Sequence, residues 1–68
     1  MNMIGYAIYF TWKDGIEDSF TEYGASRRNM AINNLLHREN LDGEKDFIKI
    51  SYCRIYKSGE YGKRITVR

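Results

Sequence analysis

The sequence predicts an α+β fold: a ββαββ chain whose four strands form an antiparallel sheet, with one helix packed on one face. Three observations predict it. The first dozen residues alternate with a period of two, the stretch from Arg27 to Arg38 takes helical spacing, and turn chemistry separates the segments at Asp14-Gly15 and across Lys57–Glu60. The 68 residues contain no proline, repeat or low-complexity tract, so the reading is one domain, residues 1–68.

"MIGYAIYFTW" places Ile4, Tyr6, Ile8, Phe10 and Trp12 on one side, and Gly5, Ala7, Tyr9 and Thr11 on the other. The second side is weakly apolar too, which suits a central strand. Asp14-Gly15 follows as a hairpin turn, because both residues tolerate positive φ. The return strand "IEDSFTEY" sets Ile16, Asp18, Phe20 and Glu22 against Glu17, Ser19, Thr21 and Tyr23, and its charges mark it as an edge.

Gly24-Ala25-Ser26 breaks the alternation, with Ser26 placed to cap a helix. From Arg27 to Arg38, Ala31, Ile32, Leu35 and Leu36 form an apolar stripe flanked by Met30, while Arg27, Asn33, Asn34 and Arg38 look outward. The helix should stop by Asn40, and Gly43 can take a left-handed turn beyond it. "FIKISYCRIYK" is the third strand. Ile48, Ile50, Tyr52 and Tyr56 share a parity with Arg54, while Phe47, Cys53 and Ile55 share one with Lys49 and Ser51. Neither side is clean, which predicts a bulge or a two-sided environment. "KSGE" turns the chain, and "YGKRITVR" returns as the fourth strand.

A chain this short needs a dense core. The composition permits one, at 43% hydrophobic and 15% aromatic. One cysteine, Cys53, cannot form an internal disulfide, and with the one histidine, His37, it cannot complete a zinc site. Cys53 reads as a small buried group and His37 as a surface residue. The N-terminal "MNMIGYAIYFTW" has neither a basic start nor a small-residue cleavage site, and its apolar run is too short to span a bilayer. The expected location is the cytoplasm, with no membrane association.

The net charge of +2 is unevenly placed: −3 over residues 1–24, +2 over 25–40, −2 over 41–46 and +5 over 47–68. Such polarity can steer a partner. It can equally reflect cross-strand pairing between an acidic first hairpin and a basic last one, which is the more ordinary explanation.

Chemistry-bearing constellations are sparse. Asp14, Glu17 and Asp18 cluster near the first turn but lack the spacing of a calcium loop. Gly59 and Gly62 flank a hairpin rather than open a helix, so no phosphate cradle is present. No catalytic pairing, metal site or cofactor is expected, and the chain reads as a non-enzyme. The side of the sheet away from the helix is different. Tyr9, Thr11, Ser19, Thr21, Arg54, Arg64 and one of Tyr52 or Tyr56 are expected there, a mixture of rings and guanidiniums that suits single-stranded nucleic acid. Arg27 and Arg28 fall in the first helical turn, where the helix dipole disfavours cations; this hints at an acidic partner, with plain solvation of exposed arginines the more ordinary explanation.

In size and element order, the run "YAIYFTWKDG…SFTEYGASRRNMAINNLL…IKISYCRIYKSGEYGKRITVR" resembles the small phage-encoded anti-CRISPR-type inhibitor proteins built from an antiparallel sheet and one helix. The resemblance covers nearly the whole chain but includes no shared motif, so no residue role follows from it. It implies a protein that blocks a host defence protein or ribonucleoprotein complex. The basic balance here departs from acidic DNA mimics and implies a basic wedge instead. The partner-binding candidates are Arg27, Arg28, Arg54, Lys57, Lys63 and Arg64 as charged contacts, with Tyr9, Tyr56 and Tyr61 as aromatic anchors. The alternatives are a small nucleic-acid-binding regulator, using the open sheet face and last hairpin, and self-association as a homodimer.

Overall fold

The computed structural model describes residues 2–41 and 46–67. Four antiparallel strands and one helix follow the order expected: β1 Met3–Trp12, β2 Glu17–Tyr23, α1 Arg28–Arg38, β3 Phe47–Tyr56 and β4 Ile65–Thr66. The sheet runs β2-β1-β3-β4. Both β2 and β3 are antiparallel to β1 and therefore parallel to each other, so α1 crosses over β1 to connect them. The helix lies on β1 and β2. No helix among the described residues is long and apolar enough to cross a membrane.

The core fills the space between sheet and helix. Tyr6, Ile8 and Phe10 from β1 meet Phe47, Ile50 and Tyr52 from β3 and Ala25, Ala31, Ile32 and Leu35 from the helix side. At one end of this layer, rings run across three strands, with Phe20 to Phe10 at 5.8 Å, Phe10 to Phe47 at 4.5 Å and Phe47 to Trp12 at 4.6 Å between centroids. At the other end, Tyr6 meets Tyr52 edge-on at 5.9 Å. Edge and offset contacts of this kind add to what burial of the rings already contributes.

Two register shifts interrupt the β1–β3 pairing, one from an extra residue in β3 and one from an extra residue in β1. Thr11 pairs with Lys49 but Trp12 pairs with Phe47, leaving Ile48 as the extra residue; at the far end Gly5 pairs with Ile55 but Met3 with Tyr56, leaving Ile4 extra. Each bulge moves the residue beyond it to the opposite face. Phe47 and Met3 thereby join the helix-side core, while Ile48 and Ile4 are 62% and 42% exposed, against the core parity expected of them. Ile16 is a second departure from the expected apolar face. Its carbonyl accepts from Trp12 N at 2.8 Å to close the hairpin, and its side chain lies in solvent.

The two hairpins share one construction. Gly15 N bonds Trp12 O at 2.9 Å with Gly15 at φ 91°, and Gly59 N bonds Tyr56 O at 2.8 Å with Gly59 at φ 92°. Both are three-residue loops with glycine in the left-handed position. Asp14 contributes through its side chain, which accepts from Ile16 N at 2.9 Å, and not through positive φ. The fourth strand is shorter than its alternation suggested. Tyr61 makes an isolated bridge to Ile55, and regular pairing resumes only at Ile65 and Thr66.

The helix starts one residue later than expected. Arg27, not Ser26, is the N-cap, and no side chain caps it. The Ser26 carbonyl instead accepts from the Tyr6 hydroxyl at 3.5 Å. Packing of Ala31, Ile32 and Leu35 against the sheet fixes the helix in place of a cap. At the other end, Leu41 N bonds Leu36 O at 2.8 Å and Asn40 N bonds His37 O at 3.2 Å, with Asn40 at φ 55°. That is a Schellman closure in which Asn40 takes the left-handed position. Gly43 lies outside the described residues.

Candidate binding surface

The sheet's outer face is less open than alternation alone implies. Ala7, Cys53 and Ile55 form a small buried cluster there, with Tyr9 packed against it. The Tyr9 hydroxyl sits 3.7 Å from the Cys53 sulfur. That hydrogen bond raises the Tyr9 phenol above its ordinary value, burial adds to the shift, and the Arg64 guanidinium opposes it.

Arg64 crosses this face as a clamp. Its Nε donates to Ser51 Oγ at 3.0 Å, its guanidinium carbon lies 3.7 Å from the centre of the Tyr9 ring, and its Nη2 pairs with Glu17 on β2. One side chain thus ties the fourth-strand segment across β3 and β1 to the far edge of the sheet. This is one cross-sheet pair of the kind that the charge polarity allowed. The other two turn acids are also engaged locally: Asp18 accepts from Trp12 Nε1 at 2.5 Å, and Asp14 holds the turn.

Beside the clamp, a shallow depression of about 390 Å³ opens over β1 and β2, lined by Ala7, Tyr9, Ser19, Thr21, Arg38 and Tyr61. Its one lining cation, Arg38, is already held. Arg38 pairs with the largely buried Glu22 at 2.5 Å and with Glu39 at 3.6 Å, and the hydrogen bond to Glu22 raises its pKa further.

The remaining charged candidates lie elsewhere. Arg54 pairs with Tyr6 across β1 and β3, so it belongs to the helix side and not to the open face expected of it. The same holds for Tyr52, which is buried in the core, and for Tyr56, which pairs with Met3. All three keep the parity they share with Ile50, because β3 alternates without interruption from Lys49 to Tyr56; the open-face expectation set that parity aside.

Around Tyr52 the cations converge. The Arg28 guanidinium lies 5.7 Å from the Tyr52 ring centre. Tyr6, edge-on to Tyr52, bonds the carbonyl that precedes Arg27. Arg54 is the next same-side residue along β3 from Tyr52. Gly62 N bonds Arg54 O at 2.7 Å, so the backbone segment that carries Lys63 runs beside Arg54 at the sheet edge. Lys57 closes the band at the hairpin, its N–H bonded to Asn2 O at 2.8 Å.

Nine residues predicted from sequence therefore fall into two groups. Arg27, Arg28, Arg54, Tyr56, Lys57 and Lys63 belong to the helix N-terminus, the end of β3 and the last hairpin. Tyr9, Tyr61 and Arg64 occupy the opposite face. Among the described residues no acidic side chain pairs with Arg27, Arg28, Arg54, Lys57 or Lys63, whereas both Arg38 and Arg64 are paired. Tyr52, which lies under Arg28, is a buried core residue and was not among the nine. Ser51 and Glu17, the partners of Arg64, carried no local signal at all.

Comparison with known protein families, with curated proteins and with solved structures finds no match for this chain.

Proposed function

We propose that this chain is a non-enzymatic binding protein that docks on a partner complex through the band of Arg27, Arg28, Arg54, Lys57 and Lys63. The observation that carries this reading is the distribution of unpaired charge. The acids of β2 neutralise Arg38 and Arg64, whereas the five cations of the band have no acidic partner among the described residues. Together with the resemblance to small phage inhibitors, this supports a basic wedge that occludes a working surface of a host ribonucleoprotein or defence complex.

The test is inhibition. Purified protein is added to a panel of RNA-guided nucleases, and cleavage of target DNA is followed for the native chain and for a variant carrying R27A, R28A and R54A. Inhibition by the native chain that disappears in the folded variant is the expected result. No inhibition across the panel, or inhibition that the variant retains in full, would remove the basis for the reading.

A further inference from the structure

We infer that the basic band recognises the phosphodiester backbone of a nucleic-acid strand, an inference that rests on the binding function proposed above and names the chemistry it contacts. Three features of the band point this way. First, its composition is five cations, two of them lysine, around a half-buried Tyr56 and an exposed Ile65. Protein–protein interfaces exclude lysine from their centres and bury an apolar core. Nucleic-acid interfaces are more polar and far more positive.

Second, the cations are spread over several segments rather than held in one cluster. Arg27 and Arg28 stand at the start of α1, with Arg28 over Tyr52; Arg54 is the next same-side residue of β3; and the last hairpin, whose Gly62 N–H bonds Arg54 O, carries Lys57 and Lys63. Charges spread over separate segments suit a strand of repeated phosphates, where a compact acidic patch on a protein would call for a cluster. Third, Tyr56, half-buried, is the one partly accessible ring among the band's own residues, and the other rings suited to stacking lie elsewhere. Tyr9 and Tyr61 lie on the far side of the sheet, and Tyr52 is buried beneath Arg28. Recognition by this band therefore reads backbone charge and not base identity.

Sequence-independent phosphate binding has a measurable signature. Each neutralised phosphate contributes roughly −0.9 to the slope of log affinity against log salt on duplex DNA, and roughly −0.7 on a single strand. Five contacts predict a slope between about −3.5 and −4.5.

The experiment is fluorescence anisotropy with short labelled RNA and DNA probes of one sequence, each single-stranded and duplex, from low to physiological salt. Native chain is compared with R27A/R28A/R54A, with K57A/K63A and with K13A/K49A, a control that matches the lysine pair in charge removed, all checked by circular dichroism. Lys13 sits at the first hairpin and Lys49 pairs with Thr11 on the outer face, both away from the band. The inference predicts at least about tenfold weaker binding for the arginine variant and a slope shallower by about 1.4 to 1.8 for K57A/K63A, with the control near native. The stronger of the single-stranded and duplex probes identifies which form supplies the phosphates.

Equal loss in the control would reduce the effect to net charge and overturn the inference. So would absence of binding to every probe. In that event, nuclease inhibition still lost in the arginine variant would assign the band to an acidic protein surface, leaving the function standing. Absence of both would remove function and inference together.

Discussion

Arg64 is the residue whose part changed most between sequence and structure. Read from the sequence it is one more cation in a basic tail; in the fold it bonds Ser51, covers Tyr9 and pairs with Glu17. Exposed ion pairs and stacked cations contribute modestly, so Arg64→Ala should lower unfolding stability by about 1 kcal/mol in a urea titration. It should leave partner binding near native. Tyr9 gives a pH-dependent expectation. Its phenol is raised by the hydrogen bond to Cys53 and by burial, so the folded protein favours the protonated ring more than the unfolded chain does. The stability from that preference is fully present below the ordinary tyrosine range and is lost as pH climbs through the raised value. Phenolate absorbance should show one late-titrating tyrosine that is missing in Tyr9→Phe. In Cys53→Ala, which removes the largest cause, that titration should shift back toward the ordinary value.

At the scale of elements, local chemistry and tertiary packing divided the work. The hairpins were legible because glycine is the residue that accepts a left-handed turn, and Gly15 and Gly59 both adopt it. The helix end was legible in position, but Asn40 makes the turn. Asn40→Ala should cost about 1 kcal/mol, since alanine lacks asparagine's tolerance of that region, while Asn40→Gly should hold or raise the urea midpoint. The helix start was misread because its serine is drawn to Tyr6, a contact between residues twenty apart in the chain. Gly5 tests the β1–β2 pairing directly. A β-carbon there would sit 2.6 Å from the Glu22 carbonyl oxygen and 2.8 Å from the Tyr23 ring. Gly5→Ala should therefore destabilise by about 2 kcal/mol, read as a lower thermal midpoint.

For the whole molecule, the decisive feature is the separation of two surfaces by one sheet. Acids on β2 hold Arg38 from the helix and Arg64 from the last hairpin, while Arg27, Arg28, Arg54, Lys57 and Lys63 have no acidic partner among the described residues. Variants should sort by face. R27A/R28A/R54A should keep a native circular dichroism spectrum and lose partner binding. Tyr61→Ala on the outer face should keep binding within about twofold, because its ring lies across the sheet from the band. Loss of binding in Tyr61→Ala equal to that in the arginine variant would show that both faces form one site. Core truncation behaves differently again. Leu35→Ala, at a fully buried position, should cost about 2–5 kcal/mol, and a chain of this size has little surplus to absorb it.

By itself the sequence determined the number, type and order of elements, because period-two and helical spacing are local properties of neighbouring residues. It also determined the two hairpin turns and the excess of positive charge. Only the tertiary structure decided which face each residue occupies, because Ile4 and Ile48 bulge out of register and every residue beyond a bulge changes sides. The same holds for the candidate site. Which arginines remain free depends on the acids that reach them across the sheet, and residues as distant as Glu17 and Arg64 meet only once the strands are aligned.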